Sequence, residues 1–148
     1  MFKHLLLPTD GSKLAERAVT HGLKMAQALG ARITLVTVVP EFQMVADESF
    51  AVPMSGQFKQ RYEKEAKARA EKMLATLKIR ADKAGIRSES LVVLGDLPYK
   101  QIIDSARKRK CDLIVMASHG RRGLAGLLLG SETVKVLTHG KIPVLVVR

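Results

Sequence analysis

Two short corners of the chain carry the residue types that could hold a phosphorylated ligand. One begins after the apolar run Leu113-Ile114-Val115-Met116 and reads Ala117-Ser118-His119-Gly120-Arg121-Arg122-Gly123. An apolar patch from Leu124 to Leu129 follows, closed by Gly130-Ser131-Glu132. Glycines let main chain approach a ligand with no Cβ in the way. Free N–H groups at a helix start, with the positive end of its dipole, suit an anion, and two arginines reinforce that polarity. The other corner is Thr9-Asp10-Gly11-Ser12, which follows Leu5-Leu6-Leu7-Pro8. A carboxylate in such a turn suits ligand hydroxyls.

The flanking elements must position these corners. Lys3 to Pro8 reads as a buried first strand, and Ser12 as the cap of a helix whose apolar face is Ala15, Ala18, Val19, Gly22, Met25, Ala26 and Leu29, stopped by Gly30. Ile33 to Val39 is a second strand ended by Pro40, and Glu41 to Gln57 a long loop over the site or a partner contact. Phe58 to Ala84 is a long helix. Its expected buried stripe is Tyr62, Ala66, Ala70, Met73, Leu74, Leu77, Ala81 and Ala84, with Glu63–Lys67 and Glu65–Arg69 pairs on the wet face. Ser88 to Leu94 is a third strand. Asp96 is the expected cap of a third helix with Pro98 in its first turn, and a last helix runs from a Ser131 cap to about Thr138. Val144 to Val147 is the fifth strand.

The alternation of strand and helix predicts an α/β fold: a doubly wound, Rossmann-like, five-stranded parallel sheet with helices on both faces. In such sheets ligands bind at the carboxyl ends of the strands, where strand order reverses. With the order 3-2-1-4-5, the Asp10 corner and the Gly120 loop become neighbours.

Length and composition agree with one domain, residues 1–148: 47% hydrophobic, 26% charged, and no run resembling a membrane span or signal peptide. The single cysteine, Cys111, allows no internal disulfide and reads as a small core residue, so the expected compartment is the cytoplasm. The net charge of +11 admits nucleic acid, an acidic surface or nucleotide phosphates as partners. Aromatic residues make up 4% with no Trp, too few for a base-stacking platform, so nucleic acid is not the expected partner. Much of the charge falls on the long helix as a solvated basic face.

Taken together, Pro8-Thr9-Asp10-Gly11-Ser12, Gly95-Asp96 with Pro98, Ser118-His119-Gly120 with nine residues to Gly130-Ser131, and Pro143-Val144-Leu145-Val146-Val147 resemble the universal stress protein (UspA-like) family over the whole chain. The nucleotide-binding branch of that family carries Gly-x-x-Gly, nine residues, then Gly-Ser or Gly-Thr; here Ala117 stands at the first glycine. The resemblance implies ATP, or ADP or AMP, with Mg. Asp10 would meet the ribose or help hold the divalent ion. Pro8, Thr9, Val38 and Met116 would line the adenine pocket, and Ala117 and His119 would sit beside it. Gly120, Gly130, Ser131 and Glu132 would bind phosphates. It also implies a stress-response regulator, homodimeric through Val144–Val147, with an unknown protein partner. No catalytic residue or metal cluster stands out: His119 has no ligand partner at metal spacing, and there is no P-loop lysine. At most a slow ATPase is expected. A nucleotide-free interaction module is the other reading. His4, His21 and His139 form no visible constellation.

Overall fold

Leucine and β-branched runs alternate with amphipathic helices as β1 (His4–Pro8), α1 (Lys13–Leu29), β2 (Arg32–Val39), α2 (Gly56–Lys83), β3 (Ser88–Leu94), α3 (Pro98–Lys108), β4 (Leu113–Ala117), α4 (Ser131–His139) and β5 (Val144–Val147). This is a computed structural model, and it describes residues 1–42, 56–120 and 129–148. All strand pairs are parallel, in the order β3-β2-β1-β4-β5. The predicted order is therefore the observed one.

Successive side chains of a strand point to opposite faces, and β1 uses both. Leu5 and Leu7 enter a core with Ala15 and Val19 of α1 and Leu74 and Leu77 of α2. Leu6 enters the other core with Ile102 and Ala106 of α3 and Val136 of α4. All three leucines are fully buried, each contributing about 1.5–3 kcal/mol of transfer free energy. The sheet is thus covered on both sides, and its carboxyl rim is the edge left for a site.

Three helices stop by the same device. The N–H groups of Ala31, Ile86 and Cys111 donate to the carbonyls of Ala26, Ala81 and Ala106 at 2.9, 2.9 and 2.8 Å. The residue before each donor is left-handed: Gly30, Gly85 and Lys110, with φ of 62°, 71° and 55°. Glycine takes that conformation freely, whereas in a lysine it costs about 1–2 kcal/mol.

Several local expectations are corrected. Asp96 does not cap α3; the N-cap is Leu97 without a side-chain bond, and Asp96 instead accepts from the Glu41 N–H at 3.2 Å. Ser131 is not the cap of α4 but its first residue, with Gly130 at the N-cap. Tyr62 is 45% exposed rather than in the buried stripe, because it packs on Phe42, 5.2 Å between ring centres. Glu63 and Glu65 pair backwards with Lys59 and Arg61 rather than forwards with Lys67 and Arg69. Most of the predicted 41–57 loop and of the 124–129 apolar patch lies outside the described residues, as do Arg121, Arg122 and Gly123.

Candidate functional site at the carboxyl rim

The β1 corner is held by its own polar groups. Thr9 N–H donates to the Val36 carbonyl at 2.9 Å, carrying the β1–β2 ladder one residue past the strand. The Thr37 hydroxyl donates to the Thr9 carbonyl at 2.9 Å, and the Gly11 N–H to the Thr9 hydroxyl at 3.2 Å. Gly11 turns the chain with φ of 76°. The Ser12 N–H then donates to Asp10 Oδ1 at 2.9 Å, and the Ser12 hydroxyl caps α1 by accepting from the Ala15 N–H at 3.2 Å. Asp10 is therefore fixed by the turn, and the start of α1 is satisfied within the protein.

The β4 corner is built differently. Ser118 N–H donates to the Val147 carbonyl at 2.8 Å, extending the β4–β5 ladder. The buried Thr133 hydroxyl donates to the Ala117 carbonyl at 3.0 Å, tying the first turn of α4 to the strand end. The chain returns at Gly130, whose N–H donates to the Ser118 carbonyl at 2.7 Å. A Cβ on Gly130 would lie 2.9 Å from His119 Cβ and 3.0 Å from His119 Cα, so only glycine fits without moving main chain. At Gly120 a Cβ would run into Asp10 Oδ2. The two corners chosen from chemistry are therefore in contact across the β1–β4 junction.

Helix starts discriminate between structural and available N–H groups. The α1 start is capped by Ser12. At α3 the Tyr99 N–H donates to Glu132 Oε2 at 2.8 Å, so a carboxylate from α4 does the work expected of Asp96. Its other oxygen pairs with Lys135 at 3.0 Å. The N-cap of α4 is Gly130, which has no side chain to cap it, and Ser131 there is exposed. Unsatisfied N–H groups at such an end attract anions.

The remaining expected site residues divide by sheet face. Val38 and Met116 belong to the core beneath α3 and α4, and Pro8 points the same way as Leu6 by alternation. Ala117 faces the opposite core, against α1, and reaches the rim only through its carbonyl. The alanine methyl at the first glycine position is thus buried inside the fold. His119 is half-buried, its Nδ1 3.2 Å from the Ser118 hydroxyl. Sequence reasoning quoted Ser118 only as part of a motif and missed Thr133; both are buried hydroxyl residues at the loop's ends. No group of three metal-ligating side chains occurs among the described residues.

The histidine given no constellation has one, at the opposite edge of the sheet. Buried His4 places Nε2 2.8 Å from the Thr34 hydroxyl, which itself donates to Glu89 Oε1 at 2.7 Å. Since that hydroxyl proton is engaged, His4 must carry its own proton on Nε2, leaving Nδ1 with no partner among the described residues. Burial, then the Arg32 charge, holds the His4 pKa below its ordinary value of 6.5. Cys111 is buried and free as expected, its thiol pushed up to about 11 chiefly by burial.

A family model for the universal stress protein family matches residues 1–148. A universal stress protein of Thermus aquaticus is 36% identical over 148 residues, covering all of both chains. The solved structure of universal stress protein MJ0577 of Methanocaldococcus jannaschii superimposes with a TM-score of 0.85 at 28% identity, over 99% of this chain and 96% of that one. A universal stress protein solved in complex with cAMP matches at 26% identity and a TM-score of 0.71, over 99% and 97% of the two chains. Nucleotide complexes therefore occur among the structural neighbours of this chain. By sequence along its full length and by strand order, the chain belongs to the universal stress protein family.

Proposed function

We propose that the protein is an ATP-binding regulator whose nucleotide lies across the β1–β4 junction. The observation that carries this reading is the contact between Gly120 and the Asp10 carboxylate, beside a helix start whose N-cap residue is a glycine. The relative solved with cAMP supports the ligand class. Adenine lies against Pro8, Thr9, Val38 and Met116, and the ribose hydroxyls donate to Asp10. Phosphates accept from the N–H groups of Gly120, Gly130, Ser131 and Glu132 and from the Ser131 hydroxyl. A Mg ion bound with the phosphates would offset their charge. Binding changes partner choice rather than driving rapid turnover.

The regulator acts as a homodimer through β5 in the cytoplasm. Support for the dimer comes from β5 having only β4 as a strand neighbour among the described residues, with Val144, Leu145 and Val146 half-buried. An apolar unpaired edge is otherwise a liability for aggregation.

Thermal unfolding with and without Mg-ATP tests the site. At 100 times the dissociation constant the ligand adds about 2.7 kcal/mol, a rise of roughly 5–10 °C for a domain of this size. The Asp10→Ala/Ser131→Ala variant should lose the rise. An unchanged melting temperature for the native chain at millimolar nucleotide would sink the proposal.

A further inference from the structure

Part of the charge assigned from sequence to the long helix is paired there, and a further set of unpaired cations gathers elsewhere. On α2, Lys59, Arg61, Lys67 and Lys78 each hold an acid four residues away. At the amino edge of the sheet, opposite the Asp10 corner, the strand register brings a different set into line. Arg32 pairs with His4, and Arg87 lies level with Arg32, one residue before the pair Ile33–Ser88. Counting back from Leu5–Leu113 and Ile114–Val144 puts Lys3 and Lys141 at one level, with Lys110 one residue beyond. In sheet order, the row is Arg87, Arg32, Lys3, Lys110 and Lys141, one cation for each strand lane. All are exposed, and among the described residues none makes an ion pair.

The acids nearby are already engaged. Asp112 accepts from the main-chain N–H groups of Lys3 and His4 at 2.8 and 3.0 Å. Glu89 takes Thr34 and Arg109, and Asp82 takes Lys78 and Ser88. An independent observation singles out Lys110. Its counterparts after α1 and α2 are glycines, yet here a lysine is kept in a left-handed conformation that lysine disfavours. The fold would be served better by glycine, so the side chain itself has a use.

We propose that this amino-edge row is a binding surface for the backbone of duplex nucleic acid. Four strand spacings of about 4.8 Å give a row about 19 Å long. Phosphates along one strand of a duplex advance about 3.4 Å each along the axis while winding around it, so of those within that length about three to five can face the row. The cations share one edge of the sheet, Lys3 on the face that carries Leu5 and Leu7 and Arg32 on the face that carries Leu6 and Val36, and their strand-entry positions fix an array that suits a duplex better than a fluid surface. The helices end at this edge instead of lying along it, so no amphipathic face is presented to a bilayer. Phe2, the aromatic beside the row, packs against the core, so bases are not read by stacking. Binding is independent of sequence, and the scarcity of aromatics that argues against single strands leaves it untouched.

Fluorescence anisotropy of the full chain with a labelled mixed-sequence 24-base-pair DNA duplex tests this surface. At 50 mM salt we expect micromolar binding, with log affinity falling against log salt at a slope of about −3 to −5, near −0.9 per phosphate contacted. Lys3→Glu/Arg32→Glu/Lys141→Glu should bind at least tenfold more weakly. Lys64→Glu/Arg69→Glu/Lys72→Glu, an equal charge change on α2, should bind within twofold of the native chain. If the first variant unfolds, Lys3→Gln/Lys141→Gln should still bind severalfold more weakly. Equal loss in the α2 variant would mean net charge alone acts, and overturns the assignment. So does an undetectable duplex complex at 50 mM salt, or displacement of the duplex by phosphatidylserine vesicles at lower phosphate concentration. The Mg-ATP melting shift should be the same in the amino-edge variants, which keeps this result separate from the carboxyl-rim site.

Discussion

Alanine at Gly120 and at Gly130 should have opposite profiles, although each adds one methyl to the same loop. At Gly130 the methyl meets His119 Cα at 3.0 Å and Cβ at 2.9 Å, and the Ser118 carbonyl at 3.4 Å. None of these is the end of a flexible side chain, so main chain must yield and the 2.7 Å bond from Gly130 to Ser118 is strained. Overpacking of this kind costs about 1–3 kcal/mol, a fall in melting temperature of roughly 2–12 °C for a domain of this size. At Gly120 the methyl meets the Asp10 carboxylate, a side-chain tip rather than main chain, so Asp10 must shift from its place in the turn. The shift weakens its bond from the Ser12 N–H, worth about 0.5–1.5 kcal/mol or somewhat more with a charged acceptor. Stability should therefore change less than in Gly130→Ala. Nucleotide affinity should fall roughly tenfold to a hundredfold, because a charge-assisted bond of about 1.5–3 kcal/mol to the ribose is lost. Denaturant midpoints without ligand and calorimetric titration with Mg-ATP separate the two effects. Undiminished affinity in Gly120→Ala would refute the idea that Asp10 and Gly120 form one cradle, and native stability in Gly130→Ala would refute the tight hinge.

Three further outcomes follow from the same geometry. Glu132→Ala removes the carboxylate that accepts from the Tyr99 N–H, and should cost about 1–2 kcal/mol by denaturant titration, as loss of a helix cap does, with fraying of α3 visible in amide exchange. Because burial lowers the His4 pKa in the fold while the unfolded chain titrates at its ordinary value, its contribution is complete above pH 6.5 and declines as pH falls below it. The slope is at most about 1.4 kcal/mol per pH unit; the difference between the native chain and His4→Gln from pH 7 to 5 measures it, and parallel curves would refute it. Cys111, buried with its thiol pushed up to about 11, should react with a thiol reagent at pH 8 only as the protein opens, so its labelling rate should track denaturant. Rapid labelling without denaturant would contradict its burial.

Much of the architecture was legible because it rests on local, repeated signals. β-branched and leucine runs bounded by Pro8, Pro40, Gly95 and Pro143 could be little but strands, and Gly30 and Gly85 mark helix ends through a left-handed turn that glycine favours. The glycines at 120 and 130 likewise marked a loop in which main chain comes close to other groups, the Asp10 carboxylate at Gly120 and the His119 backbone at Gly130.

Choices between near-equal local partners were not legible. Glu63 has a lysine four residues away in each direction, and Glu65 an arginine in each direction; periodicity cannot say which is taken. Asp96 and Ser131 are both good caps by type, yet Glu132 reaches across from α4 to cap α3, and Gly130 takes the cap position of α4 because its N–H is drawn to Ser118.

From its residues alone the chain determined the alternation of strands and helices, the two-sided cover of the sheet and the identity of the two corners, because hydrophobic period and turn chemistry act within a few residues. Tertiary structure alone decided that Asp10 touches Gly120, that Ala117 points inward, and that scattered cations before separate strands form a row. Each of those depends on which strands become neighbours and in what register, a relation between residues as much as 110 positions apart.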